Sequence, residues 1–525
     1  MLKKMKLKYK KKPLQDPKSN KINFKLNKTN RSSAIFPIFL SKKSSCKIIF
    51  LSYWIKKHGN NVVIKLTARN LIGDILENKI IPIHTLKAFE INAEIFDYFS
   101  KNRVGFSGTI EVEVFSKNKP FFNFPAISII YEDKKCFSSV HACTRFYNTN
   151  EKPKDYAIPF GQTGFDIKFG QNFKNYIIFV GANKSEYKLN LILEINKRKY
   201  EKKILFHSVN GQMHIIYIED YFYYKFSKQN VKVTIEHDLD SFPRFYVGTI
   251  EKDRIPTLTH TFFDTSKKYL NEKLIDINHV YSSKSNSEKY YNSAFMIPVL
   301  PINKYNTIIK SYGQNLDFNG TISIKILNKN GKLIKELVLK NKKQKKWLSL
   351  NSFNFSNIVK KYSLSKFSMH YVHLGFSDHN NQFPNRFKLG LNFTKNKNNL
   401  GTNICFSPKV LNDNNISKPF VRRWFPLGGK KNIIATIHVT SFTKSKSITP
   451  KLLVMEFVNY YGKKLIKKIE ALDNSTVILN ILKDDDLKKF FRDKIGWCFV
   501  TCNNFVLDGY FFSNKGDQLG GDHVF

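Results

Sequence analysis

The sequence predicts an all-β fold: four tandem antiparallel β-sandwich (immunoglobulin-like) repeats with short helical insertions, behind a disordered basic N-terminal tail. Three observations predict it. An Asn-x-x-Gly turn pattern recurs four times, a set of apolar marks keeps step with it, and no long amphipathic helices separate the strand-like runs. A parallel α/β fold would need those helices, and propeller blades of about 40–50 residues are too short to be the repeating unit.

Taken in chain order, residues 1–31 come first. They carry twelve Lys/Arg, including Lys10-Lys11-Lys12, and one acid, Asp16. Without apolar periodicity such a stretch reads as disordered. It lacks the apolar core of a secretory signal, and no run of about 18 uncharged apolar residues occurs in the chain. The expectation is a soluble cytoplasmic protein, with an organellar transit peptide left open.

Each repeat is then read from the same marks. The strand-like runs Val62–Leu66, Leu189–Leu193, Thr321–Ile326 and Leu452–Phe457 close on Asn70-Leu71-Ile72-Gly73, Asn196, Asn328-Lys329-Asn330-Gly331 and Asn459-Tyr460-Tyr461-Gly462; the second copy has Lys199 in place of the glycine. Asn can bond the backbone two residues on, and Gly releases the chain into the next strand, so each turn is expected to tip a hairpin. Upstream stand Ile48-Ile49, Ile177-Ile178, Ile308-Ile309 and Ile433-Ile434. Further upstream lies an apolar residue followed by Pro37, Pro159, Pro298 or Pro426. Downstream, polar caps at Asn92, Glu219, Asn351 and Asn480 recur about every 130 residues. Lys483 to Lys489 is the clearest helical insertion, with acids before lysines as the helix dipole prefers.

Two final strand-like runs end each unit. They are Ile127–Ile130 and Cys136–Phe146; Arg244–Val247 and Ile255–Phe263; Tyr371–Leu374 and Arg386–Phe393; Trp497–Val500 and Phe505–Phe512. This gives five to seven strands per unit. The expected boundaries are a tail at 1–31 and repeats at 32–150, 155–266, 294–395 and 420–525, with a linker or long loop at 267–293 and an Asn-rich linker at 396–419.

No phosphate-binding glycine loop, nucleophile elbow or HExxH metal motif occurs, so no catalytic residue is assigned and no motif calls for a cofactor. The polar constellation that stands out comes from the final strands of the first two units. His141 and His260 lie at matching distances after Pro125 and Pro243, and strand parity puts Cys143 on the face of His141 and Asp264 on that of His260. Paired about a pseudo-twofold axis, His141, Cys143, His260 and Asp264 would suit zinc. The third and fourth units show no histidine at that point. Arg145 flanks this set. Arg422-Arg423-Trp424 joins cations to an aromatic face suited to a sugar or a base, as does Tyr217 to Lys228. The Gly520-Gly521-Asp522-His523 segment is a further candidate, able to fold back into a site. Six cysteines show no CxxC pair and are expected as reduced, buried thiols.

The charge is large: 87 Lys+Arg against 41 Asp+Glu, a net +46. A field this positive draws polyanions. It is spread over the units without a lysine-rich recognition helix, so sequence-specific nucleic-acid recognition is not expected. The functional expectation is a non-catalytic tandem-repeat binding or scaffold protein that takes an anionic polysaccharide or other polyanion. One alternative is a carbohydrate-active enzyme, or an inactive relative, with a histidine-centred, metal-assisted site between the first two repeats. Another is a purely structural assembly protein that oligomerises through exposed edge strands.

Overall fold

The computed structural model describes residues 30–525, apart from 60, 118–124, 148–160, 171, 196–197, 223–229, 242–243, 252–253, 262–281, 286–287, 312–319, 341–352, 379–388, 396–401, 407–420, 441–450, 503–505 and 514–518. Over these residues the chain is predominantly β and builds several antiparallel sheets.

The first group of strands is β1 (Asn30–Leu40), β2 (Ser45–Leu51), β3 (Val62–Asn70), β4 (Ile75–Ile83), β5 (Ala88–Asn92), β6 (Gly105–Ser116), β7 (Ile127–Glu132) and β8 (Phe137–His141). Helices α1 (Tyr53–His58) and α2 (Asp97–Lys101) interrupt them. The sheets run β1-β6-β3-β4 and β5-β2-β7-β8. Next come β9 (Gly161–Lys168), β10 (Phe173–Val180), β11 (Glu186–Ile195), β12 (Arg198–His207), β13 (Met213–Tyr217), β14 (Asn230–His237), β15 (Tyr246–Glu251) and β16 (Thr259–His260). Their sheets are β12-β11-β14-β9 and β13-β10-β15-β16.

A third group holds β17 (Ser282–Ser285), β18 (Glu288–Val299), β19 (Tyr305–Ser311), β20 (Gly320–Leu327), β21 (Leu333–Lys340), β22 (Phe353–Asn354), α3 (Phe355–Lys361), β23 (His370–Asp378), β24 (Leu389–Lys395) and β25 (Thr402–Phe406). It pairs as β17-β18-β23-β20-β21 and β22-β19-β24-β25. The last group is β26 (Val421–Gly428), β27 (Ile433–Thr440), β28 (Lys451–Val458), β29 (Lys464–Ala471), β30 (Ser475–Leu479), α4 (Asp485–Phe491), β31 (Ile495–Cys502), β32 (Val506–Ser513) and β33 (Gly521–His523). Its strands run β29-β28-β31-β26 and β30-β27-β32-β33, the two rows joined through Gly428 opposite Ile433. With the β17 hairpin arm set aside, every group shows the same two rows: first-sixth-third-fourth and fifth-second-seventh-eighth.

Local sequence explains the strands. β11 alternates buried and partly exposed residues, the period of a strand with one face on a core. β1 is buried along Ser32–Leu40 because both of its faces are covered. Pro37, Pro298 and Pro426 sit in β1, β18 and β26, and the pairing order leaves each beside a single partner strand, so the missing N–H costs no ladder bond. Asp484 caps α4 by accepting from Leu487 N, with acids in its first turn and lysines in its last.

Apolar clusters draw on both sheets of a group. One combines Leu189, Leu191 and Val233 with Ile177, Phe179 and Val247. The largest cluster also crosses groups, uniting Phe36 and Tyr131 with Tyr176 and Tyr246, and with Trp424 and Trp497. Another joins Ile297 and Phe393 to Tyr510, Phe512 and Leu519.

The hairpin tips have the expected chemistry. Gly73, Gly331 and Gly462 donate to Asn70 O, Asn328 O and Asn459 O, while the Asn side chains accept from Asp74, Lys332 and Lys463 N–H. All three glycines have positive φ, of 97°, 79° and 77°. Residue 196, the second tip, lies outside the described residues. The tips also dock elsewhere. Met213 N donates to Leu71 O, Thr476 N to Lys329 O and Ala88 N to Asn459 O. Each tip therefore meets the turn between the fourth and fifth strands of another group: first on second, third on fourth, fourth on first.

Some expectations require correction. β1 begins at Asn30, and Arg31 lies inside it with its guanidinium on Glu111 and Glu113 (2.8 and 2.7 Å), so the tail as read ran into a strand; residues 1–29 lie outside the described residues. β17 and the start of β18 fall within 267–293, and β25 falls within 396–419, so neither stretch is only a linker. β17 is held by the start of β18 and β25 by β24, ladders that Ser- and Asn-rich composition does not disclose. The third cap is Asn354, accepting from Asn357 N, whereas Asn351 lies outside the described residues. Each group has eight strands in the common scheme, one more than the sequence reading allowed. Among the described residues no helix is long and apolar enough to cross a membrane.

Candidate functional site

Four short strands, β8, β16, β25 and β33, meet inside the molecule. β8 packs against β16 and β33, and β25 packs against the same two. Gly520, just before β33, makes the approach to β8 feasible: a Cβ there would stand 2.2 Å from Phe137 O.

His141, at the end of β8, is the centre of a histidine cluster. Its ring lies 4.7 Å from that of His260 on β16 and 4.6 Å from that of His523 on β33. The sequence sets His141 and His260 together only if the first two units pair about a pseudo-twofold axis; in the fold their rings are neighbours. The Asp522-His523 segment also folds into the site, as its separate candidacy anticipated. Asp522, 4% exposed, organises the group. Its Oδ2 accepts from His141 N (2.8 Å) and lies 2.9 Å from His141 Nδ1, and its Oδ1 accepts from His523 N (2.8 Å).

The other two histidines have their Nδ1 atoms engaged as well. His260 Nδ1 is 2.8 Å from Thr261 O and His523 Nδ1 is 2.9 Å from Val524 O. A carbonyl only accepts, so both Nδ1 atoms carry the proton, and in the neutral rings Nε2 is left as a lone-pair donor. Burial, then the neighbouring His141, push His523 down to about 4 and hold His260 well below the ordinary histidine range. Burial alone would raise the Asp522 carboxyl, but His141 beside it outweighs this and holds the group below the usual carboxylate range. Near neutral pH the site thus presents neutral imidazoles at His260 and His523 and an ionised carboxylate. His141, Asp522 and His523 each offer a donor atom within 4.8 Å of the others.

The remaining sequence candidates are placed differently. Cys143 is fully buried, its sulfur 4.0 Å from Thr144 Oγ1, and burial pushes its thiol up to about 12; it does not join the ligand group. Asp264 lies outside the described residues. Arg145 is buried with its guanidinium 5.2 Å from the Tyr147 ring. Trp424 is 2% exposed, stacked on Tyr53 at 4.9 Å and facing Phe525 at 6.3 Å. The expectation that its ring receives a ligand is corrected, because that face is already core. Arg423 is partly buried, with Nε donating to Leu507 O at 2.8 Å, and Arg422 beside it on β26 is partly buried too. Of the aromatic stretch from Tyr217, residues 223–229 lie outside the described residues.

Sequence reasoning missed that His523 is a counterpart of His141 and His260. The one signal was position: Asp522-His523 follows the seventh strand of its unit, as His141 does.

No family model matches the chain, and no curated protein matches it. Among solved structures it is similar to a BSP domain of a biofilm-associated protein, at 9% identity over 95% of this chain and 96% of that one, with a TM-score of 0.15. It is also similar to a tetra-tandem repeat in the extending region of a large adhesion protein, at 5% identity over 94% and 98% of the two chains, with a TM-score of 0.08. Scores this low carry no argument about function.

Proposed function

We propose that the chain is a non-catalytic scaffold: four tandem antiparallel β-sandwich repeats, at about residues 30–147, 161–261, 282–406 and 421–525, closed head to tail into a ring that binds polyanions on its outer surface. The observation that carries this reading is the cyclic contact set. Each docked tip meets another group in the same sense, and the eighth strands touch in the order first, second, third, fourth and first again. Head-to-tail contacts of this kind make a ring when the rotation closes. Within one covalent chain the ring is fixed at four.

The buried histidine cluster supports a structural role over a catalytic one. A sugar ring needs an open cleft, and His260 and Asp522 are 3% and 4% exposed. Basic outer strands support polyanion binding. The terminal strands β12 and β29 expose Arg198, Lys199, Lys202, Lys203, Lys464 and Lys468. The same lysines would discourage edge-to-edge pairing between molecules, which disfavours the purely structural assembly reading. Cys46, Cys143 and Cys498 are buried free thiols, in keeping with a reducing compartment such as the cytoplasm.

Heparin chromatography of the full chain tests the reading. Retention at low ionic strength is expected to fall steeply as salt rises, and Lys199→Glu, Lys202→Glu, Lys203→Glu together should elute earlier. No retention at low salt, or retention indifferent to salt, would overturn it.

A further inference from the structure

Strand register makes four inner positions equivalent. On the second strands, Lys47 faces Asn92, Tyr176 faces Tyr217 and Ile308 faces Asn354, each partner being the residue that starts a helical turn. In the last group Ala435 faces Leu479, which sets Ile434 against Asn480, again the residue before a helical turn. Two residues along those second strands stand Ile49, Ile178, Lys310 and Thr436. They pair with Ser128, Tyr246, Gly390 and Tyr510 on the seventh strands. Those pair in turn with His141, His260, Cys405 and His523 on the eighth. Every one of the four equivalent positions holds a residue type that binds zinc-class metals, and the strands that carry them touch in a closed cycle. Cys405 enters this comparison by register alone.

We propose that His141, Asp522 and His523 hold a zinc-class divalent metal ion where the four eighth strands meet, clasping β33 to β8. Nitrogen donors with one carboxylate suit zinc and its neighbours rather than magnesium or calcium. The three donor atoms lie within 4.8 Å of one another, and a tetrahedral zinc site with bonds of about 2.0–2.1 Å would draw them to about 3.4 Å apart. A supporting contact is also in place. The Val524 carbonyl fixes the His523 ring with its Nε2 unprotonated, as outer partners of metal-bound histidines do. The role is structural and independent of what the outer surface binds. Residues more than 380 apart in sequence, His141 and His523, would share one ion.

The test uses the full chain, stripped with a chelator and titrated with Co(II) and with Zn(II). One equivalent of Co(II) with the visible bands of a four-coordinate site is expected. Affinity should fall at least tenfold in His523→Gln and in Asp522→Asn, and persist in the exposed control His207→Gln. Binding that is absent from the wild type, or equal in all variants, overturns the proposal. Should a variant fail to fold by circular dichroism, the wild type decides alone: a Tm raised by zinc over the chelated chain supports the clasp, and a Tm indifferent to both overturns it. Heparin retention is read separately, so failure of the metal clasp and failure of the polyanion reading are distinguishable.

Discussion

His237 and His438 are buried imidazoles that must stay neutral for the fold to persist. Burial holds both at about 3, with Asp238 pulling His237 up and Lys184 pushing it down to a lesser degree. His214, stacked 4.6 Å from the Phe179 ring, is held at about 4 by burial. In the unfolded chain the same groups titrate near about 6.5. Below that value the unfolded state takes up protons the folded state refuses, so the stability these histidines permit is intact above about 6.5 and is lost as pH falls toward about 3–4. Each contributes a slope of about 1.4 kcal/mol per pH unit in that window. Urea titrations at several values between neutral pH and pH 4 should show this steepening, and His438→Gln should flatten it; a pH-independent transition would contradict the assignment. At this scale the sequence was partly legible. Parity and duplication matched His141 to His260, because both are local properties of a strand. They could not reveal that Trp424 lies against Tyr53, since that contact joins residues from opposite ends of the chain.

The Asn-x-x-Gly tip is the element that links sequence to assembly. Its asparagine and positive-φ glycine form the turn, and its carbonyls then receive N–H groups from another part of the chain. A Cβ at Gly73 would stand 2.7 Å from both Asn210 O and Gln212 N, and one at Gly331 would stand 2.5 Å from Asp473 O. Gly73→Ala and Gly331→Ala are therefore expected to cost about 1–3 kcal/mol each in urea unfolding. Gly59, also at positive φ but with nothing within 4 Å of its Cβ, is the control, and Gly59→Ala should cost only about 1 kcal/mol. Equal losses at all three would remove the docking argument. These turns were readable because Asn and Gly act within four residues. The eighth strands of the last two groups were not. β25 and β33 are only five and three residues long, too short to show a strand pattern of their own, and they are held by the ladders that β24 and β32 offer them. Missing them shifted the count by one strand and moved His523 out of register with His141.

At the scale of the whole molecule, the last residues close contacts with the first group. Asp522 meets His141, the Phe525 ring lies 6.2 Å from that of His141, and the β28–β29 tip lies on Leu86 to Ala88. Deleting residues 521–525 is expected to lower the unfolding free energy by about 3–5 kcal/mol, the scale of removing one buried aromatic, and to expose the first group to limited proteolysis. Unchanged melting and unchanged cleavage would show that the closure is dispensable. Closure also sets an order on biosynthesis. The first eight strands leave the ribosome long before residues 459–525 are made, a wait of roughly 20–70 s at about 5–20 residues per second. Throughout it, Tyr53 and Phe137 lack the Trp424 ring and the Gly520 backbone that cover them in the finished fold. Growing chains of this protein therefore carry a sticky apolar seam until Trp424 and then Gly520 arrive to cover it.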